Sequence, residues 1–208
     1  MIDSQLVPIQ SRILQPLGRS LVSKGISADQ LSWAGFSIGF FAFSMLALGY
    51  YWLAGILILF NRLCDGLDGV VARQTTPTDR GAYLDIALDF MFYALIPLGF
   101  ALAIPEQNAL AAAFLLTSFI GTASSFLSFA IIAEKRGQKS LSFPNKGFYY
   151  LGGLTEGFET ILCFLLMILF PAKFPLIASI FAVACYITTA MRWHYAWSTF
   201  NTDETDNL

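Results

Sequence analysis

The sequence predicts an all-α integral membrane protein: six transmembrane helices preceded by a short amphipathic interfacial helix. Two observations lead there. Of 208 residues, 56% are hydrophobic and only 12% charged, about half the charge of a soluble domain, which carries roughly 25%. The apolar residues also fall into stretches near the ~20 residues that cross a hydrocarbon core, at about 31–50, 52–72, 80–104, 108–133, 155–171 and 175–197.

The elements follow in order. In residues 1–26, Ile2, Leu6, Ile9, Ile13, Leu14, Leu17 and Leu21 recur at near-helical spacing with Arg12, Arg19 and Lys24 between them, the pattern of a helix lying on a membrane surface. Pro8 and Pro16 are expected to bend or break it. No long apolar core precedes Ser27, so the first span is expected to act as the insertion signal. Ser27 with Gln30 three residues on forms a capping box that opens that span. Turn or polar residues then separate the spans at Gly49 to Trp52, Gln74 to Asp79, Pro105 to Asn108, Glu134 to Lys146 and Pro171 to Pro175. The expected organisation is one domain over 1–201, with 1–26 juxtamembrane and 27–201 holding the spans. Residues 202–208 form a polar, acidic tail that is expected to be disordered.

Charge sets orientation and excludes one class of function. The net charge is −2 and no basic run interleaves with aromatics, which argues against nucleic acid as a partner. With the N-terminus inside, Arg12, Arg19, Lys24, Arg62, Arg73, Arg80, Lys135, Arg136, Lys139, Lys146 and Arg192 all fall toward one side and Lys173 alone toward the other. The positive-inside rule places both termini and the 74–80 and 134–154 connections in the cytosol. Cys64, Cys163 and Cys185 are singletons in apolar stretches, so they read as packing residues rather than disulfide partners or zinc ligands.

Against this apolar background stands "DGLDGVVARQTTPTDRGAYLDIALD", residues 65–89. Asp65, Asp68 and Ala72 are three and four residues apart and share a helical face with Gly69 beside it. Gly81, Asp85 and Asp89 do the same on the next helix. A short connection is expected to make these helices antiparallel neighbours whose polar stripes meet near the cytosolic interface. Each aspartate at mid-membrane costs ~2.5–3.5 kcal/mol on insertion scales, and four together repel one another. Arg73 and Arg80 can offset two at most. Divalent ions compensate better, because hard oxygen ligands suit Mg²⁺, Mn²⁺ or Ca²⁺, and two metals on four carboxylates clamp a phosphoryl group. The plain alternative is a set of interfacial acids at helix ends, with the glycines serving close helix packing.

Asp65, Asp68, Gly69, Ala72 and Arg73, followed by Gly81, Asp85 and Asp89, resemble the D-x-x-D-G-x-x-A-R … G-x-x-x-D-x-x-x-D signature of the CDP-alcohol phosphotransferases (CDP-alcohol phosphatidyltransferases), membrane enzymes of phospholipid biosynthesis. Seven residues separate Arg73 from Gly81, one fewer than in many members. "GISADQLSWAGF" is similar to the segment that opens the family's first span, and "NKGFYYLGGLTEGFETI", residues 145–161, is similar to an uncharacterised bacterial inner-membrane subgroup. The resemblance implies that Asp65, Asp68 and Asp85 hold a first divalent metal, Mg²⁺ or Mn²⁺. Asp89 would complete the shell of a second metal or act as general base. Gly69, Ala72, Arg73 and Gly81 would shape the nucleotide pocket. It further implies a CDP-diacylglycerol donor, a small or lipid alcohol acceptor, CMP as product, a homodimer, and a bacterial inner membrane with a cytosolic active site.

Other residues are candidates for reading the acceptor. Glu156 and Glu159 suit a polyol or cationic headgroup, or simply the N-terminal helix dipole. Lys135, Arg136, Lys139 and Lys146 suit an acceptor phosphate, or serve topology and anionic lipid. Arg192 either reaches the same chamber or snorkels to the interface beside Trp193 and Trp197, where His194 also reads as interfacial. Three rival functions remain: transfer of a CDP-linked headgroup to diacylglycerol, an intramembrane prenyltransferase, suggested by the Asn61 that precedes Asp65, and a divalent-cation transporter.

Overall fold

The computed structural model describes residues 3–137 and 152–201, and these are helical almost throughout. Helix α1 runs Asp3–Ser23, α2 Ala28–Ala47, α3 Tyr51–Gln74, α4 Asp79–Ala103, α5 Pro105–Lys135, α6 Gly157–Leu169 and α7 Phe174–Asn201, with a 3₁₀ turn Pro171–Lys173 before α7. Lys139, Lys146 and the tail 202–208 lie outside the described residues.

Helices α2 to α7 correspond to the six expected stretches. Four segments are long and apolar enough to cross a membrane: Ala28–Ala47, Asp79–Ala103, Pro105–Lys135 and Pro171–Asn201. Helix α3 has the length, 24 residues, but its C-terminal half, from Arg62 on, carries the aspartates and arginines. Helix α6, at 13 residues, is shorter than the expected 155–171 stretch and spans only about 20 Å at 1.5 Å per residue.

Local chemistry explains most boundaries. The Ser27 backbone N–H donates to Gln30 Oε1 (3.0 Å) and the Gln30 N–H to Ser27 Oγ (3.3 Å), completing the expected capping box. Gly25, Gly49 and Gly137 adopt positive φ where α1, α2 and α5 end, the left-handed conformation that glycine takes without cost. Two expectations change. Pro8 and Pro16 lie inside a continuous α1 rather than ending it, because α1 is held along its length against α3. Pro105 to Asn108, expected as a turn, begins α5: proline takes the first helical position, where no N–H is needed, and Asn108 Nδ2 donates back to the Phe100 carbonyl (2.8 Å).

The apolar core gathers α2 to α7 around Leu46, Ile58, Phe92, Ile96, Leu115, Phe164 and Met167. Phe100 stacks on Tyr51 and on Phe174, with ring centroids 5.6 and 4.5 Å apart. Cys163 and Cys185 are buried in this core, Cys64 is half-buried, and all three are free thiols. Large apolar side chains such as Phe41, Trp52, Leu59, Ile120 and Ile180 point outward, as lipid-facing residues do. The other end of the bundle is polar inside.

One topological feature positions the polar end. Helix α2 packs extensively on both α3 and α4, whereas α3 and α4 approach each other little. The expected direct pairing of α3 with α4 is therefore replaced by a cleft with α2 as its floor. Small residues allow this: a Cβ on Gly39 would lie 2.7 Å from the Phe92 ring and 3.1 Å from Asn61 Nδ2, so only glycine lets α2 sit this close to both neighbours.

Candidate active site

All four aspartates line one cleft, together with Ser32, Gly35 and Phe36 of α2, Asn61 and Arg62 of α3, and Leu88 of α4; the room inside is about 20 Å³, enough for little more than a water molecule. The helical arithmetic of the two stripes is borne out in three dimensions. Asp68 is buried, Asp65 and Asp89 are half-buried, and Asp85 is exposed at the mouth.

Each carboxylate is held differently. Ser32 Oγ donates to Asp68 Oδ2 at 2.6 Å, a short, charge-assisted contact. Arg62 Nη1 lies 2.7 Å from Asp89 Oδ1 and 3.6 Å from Asp65 Oδ2, so one guanidinium bridges the two helices. Its other contacts fix it in place. Nε donates to Asn61 Oδ1 (2.8 Å), Nη1 reaches Tyr93 Oη at 3.4 Å, and the guanidinium lies 4.5 Å above the Phe92 ring. Asn61 is anchored in turn, donating from Nδ2 to the Gly35 carbonyl (2.9 Å).

The cations expected to offset the cluster do other work. Arg80 pairs with Asp29 across the mouth (2.6 Å), joining the first turns of α2 and α4. Arg73 turns toward α1 and donates to Ser11 Oγ (2.9 Å), while Gln74 Nε2 reaches the Gln15 carbonyl (3.3 Å). The counter-charge inside the cleft is Arg62. The prospective nucleotide-pocket residues lie toward the C-terminal end of α3 and the N-terminal end of α4. The atoms nearest to a Cβ on Gly69 would be those of the Arg73 guanidinium, from 3.2 Å, and one on Gly81 would meet Thr78 Oγ1 and Asp29 Oδ1. Ala72 is half-buried one turn beyond Asp68.

The acceptor candidates among the described residues lie outside this cleft. Arg192 is buried rather than snorkelling: Nη1 donates to the Thr122 carbonyl (3.0 Å) and Nε to the Gly152 carbonyl (3.4 Å). Trp193, His194 and Trp197 on the same helix are exposed. Glu159 Oε2 accepts from the Glu156 N–H (3.1 Å) and Glu156 Oε1 from the Gly153 N–H (2.9 Å), so both acids stabilise the start of α6. Arg136 donates to the Phe200 carbonyl (3.2 Å), tying the ends of α5 and α7. None of these lines the aspartate cleft.

The donor set suits a hard divalent cation, because the cleft offers carboxylate oxygens and already accommodates one cationic group. In the conformation seen, no three acidic, cysteine or histidine side chains among the described residues converge closely enough to ligate one ion. Ser32, Asn61 and Arg62 complete the site, and their part in it was not read from the sequence. The single available signal was an Asn-Arg pair just ahead of Asp65.

Comparison with known proteins agrees with this arrangement. The CDP-alcohol phosphatidyltransferase family profile matches residues 26–200. The chain is 52% identical over 202 residues to the Inner membrane protein YnjF of Escherichia coli K12, covering 97% of each. It is 37% identical over 101 residues to the archaetidylinositol phosphate synthase of Pyrococcus horikoshii, covering 47% of this chain and 54% of that one. In fold it resembles crystal structures of Mycobacterium tuberculosis phosphatidylinositol phosphate synthase. The structure with CDP-DAG bound gives a TM-score of 0.69 at 22% identity over 89% of this chain and 94% of that one. The structure in complex with manganese and citrate gives 0.68 at 21% identity over 88% of each. With its eight signature residues gathered at one end of a multi-pass helical bundle, the chain belongs to the CDP-alcohol phosphatidyltransferase family and is a membrane phosphotransferase of phospholipid synthesis.

Proposed function

We propose that the protein transfers a phosphatidyl group from CDP-diacylglycerol to an alcohol and releases CMP, using Mg²⁺ or Mn²⁺. The observation that carries this reading is the gathering of Asp65, Asp68, Asp85 and Asp89 along one cleft. The fold neighbour with CDP-DAG bound supports the donor, and the manganese complex supports divalent chemistry. Asp65, Asp68 and Asp85 would hold a first ion, and Asp89 would share a second. When bound, such ions stabilise the charge that develops on the pyrophosphate.

The chain's own residues carry the remaining steps. Gly69, Ala72, Arg73 and Gly81 frame the space for the CDP end, with Arg73 supplying positive charge beside Gly69. Ser32 orients Asp68, and Arg62 holds Asp89 in the resting cleft. A protonated alcohol is a poor nucleophile, so Asp89 takes the hydroxyl proton. The alkoxide oxygen then bonds to the phosphorus bearing the lipid, the bond from that phosphorus to the bridging oxygen breaks, and CMP departs with the electron pair.

We further propose that residues 1–201 act as one domain in a bacterial inner membrane, working as a homodimer with the site and both termini cytosolic. The excess of basic residues at the site end supports the orientation. The test follows CMP release by purified protein in nanodiscs with CDP-diacylglycerol, Mg²⁺ or Mn²⁺, and glycerol 3-phosphate, inositol phosphate, serine or phosphatidylglycerol. The expected result is metal-dependent release with one acceptor, abolished by Asp68→Asn and by Asp89→Asn. Absence of CMP with every donor and acceptor, from folded protein, would overturn the reading.

A further inference from the structure

We propose that Arg62 is a built-in competitor of the second divalent ion: it holds Asp89 while the cleft is resting and has to withdraw before that carboxylate can ligate metal. This rests on the metal-dependent reading above. Three observations carry it. The guanidinium stands between the two helices, 2.7 Å from Asp89 Oδ1 and 3.6 Å from Asp65 Oδ2. It is held by groups outside the carboxylate set, Asn61, Tyr93 and the face of Phe92, so its position does not depend on the aspartates alone. With Arg62 there, no three acidic groups among the described residues converge on one point.

The competition is electrostatic. Arginine stays protonated under all working conditions, so displacing it means exchanging one fixed positive charge for a divalent one. Arg62 stands 2.7 Å from Asp89 but 3.6 Å from Asp65, and Asp68 is held by Ser32 instead. The cleft should therefore take a first ion readily and a second only when incoming pyrophosphate adds negative charge and draws the guanidinium away. A resting enzyme would then hold an incomplete metal set, and the donor itself would complete it. Arg62 is a positioning residue in this scheme, acting on Asp89 rather than on the reacting atoms.

The experiment titrates Mn²⁺ into full-length protein in nanodiscs without substrate, reading free Mn²⁺ by electron paramagnetic resonance. Wild type should bind one ion tightly and a second at least tenfold more weakly. Arg62→Gln should tighten the second step at least tenfold, and millimolar guanidinium added to Arg62→Ala should weaken it again. Rescue of that kind does not follow from a merely structural role. Arg62→Lys keeps the charge but loses the Asn61 contact and the stacking face, and should fall between; it serves if the other variants do not fold. Equal second-step affinity in wild type and in the folded variants would overturn the role of Arg62 while leaving the metal reading intact. Absence of any Mn²⁺ binding by wild type would overturn the metal reading itself.

Discussion

Replacing Ser32 by alanine tests the least expected contact in the cleft. The Ser32 hydroxyl has one proton and two nearby acceptors, Asp68 Oδ2 at 2.6 Å and the Ala28 carbonyl at 3.2 Å, and the shorter, charged partner takes it. A hydrogen bond to a charged group contributes about 1.5–3 kcal/mol net. If Asp68 must be held in this orientation for catalysis, that loss appears as a fall in kcat/KM of roughly ten- to 150-fold, since ~1.4 kcal/mol corresponds to a factor of ten. The assay is CMP release at saturating Mg²⁺, with thermal unfolding followed in parallel. The melting temperature should fall as well, because alanine leaves the buried Asp68 carboxylate without this donor, so activity is compared at a temperature where both proteins are folded. Ser32→Thr, which keeps the hydroxyl, should recover most of the activity. A kcat/KM for Ser32→Ala within twofold of wild type, with Asp68→Asn inactive in the same preparation, would refute the claim that α2 orients this carboxylate.

Gly39→Ala should be costly despite its size, because the new methyl would lie 2.7 Å from the Phe92 ring and 3.1 Å from Asn61. Overpacking of this kind costs about 1–3 kcal/mol, read as a lowered unfolding temperature, and a variant as stable as wild type would show that α2 can shift freely. Arg80→Gln should do little: the Arg80 side chain is 79% exposed, so its pair with Asp29 contributes less than about 1 kcal/mol. The small difference in stability should vanish in 0.5 M salt, where the Debye length is only a few ångströms. A loss that persists at high salt would place Arg80 within the packed mouth of the cleft.

Legibility in the sequence followed the range of the interactions. The spacing of Asp65 and Asp68, and of Asp85 and Asp89, is local to one helix each, and their shared faces follow from helical periodicity alone. The Ser27–Gln30 box is equally local. Ser32 meets Asp68 across 36 residues of chain and Asn61 meets the Gly35 carbonyl across 26, distances over which periodicity carries no information. The same holds for Arg73, whose partner Ser11 lies 62 residues away. It also holds for Arg192, which is buried by α5 although its own neighbours in sequence read as interfacial.

What the sequence determined by itself was the membrane class, the number of apolar stretches and the two carboxylate stripes, because each is set by composition or by contacts within a helical turn or two. The tertiary structure alone decided that α2 forms the floor between α3 and α4 and that Arg62, rather than Arg73 or Arg80, supplies the charge inside the cleft. It also decided that α1 stays helical through two prolines. The reason is the same in each case: these outcomes depend on which helix faces pack together, and glycines at the crossings set how closely they approach.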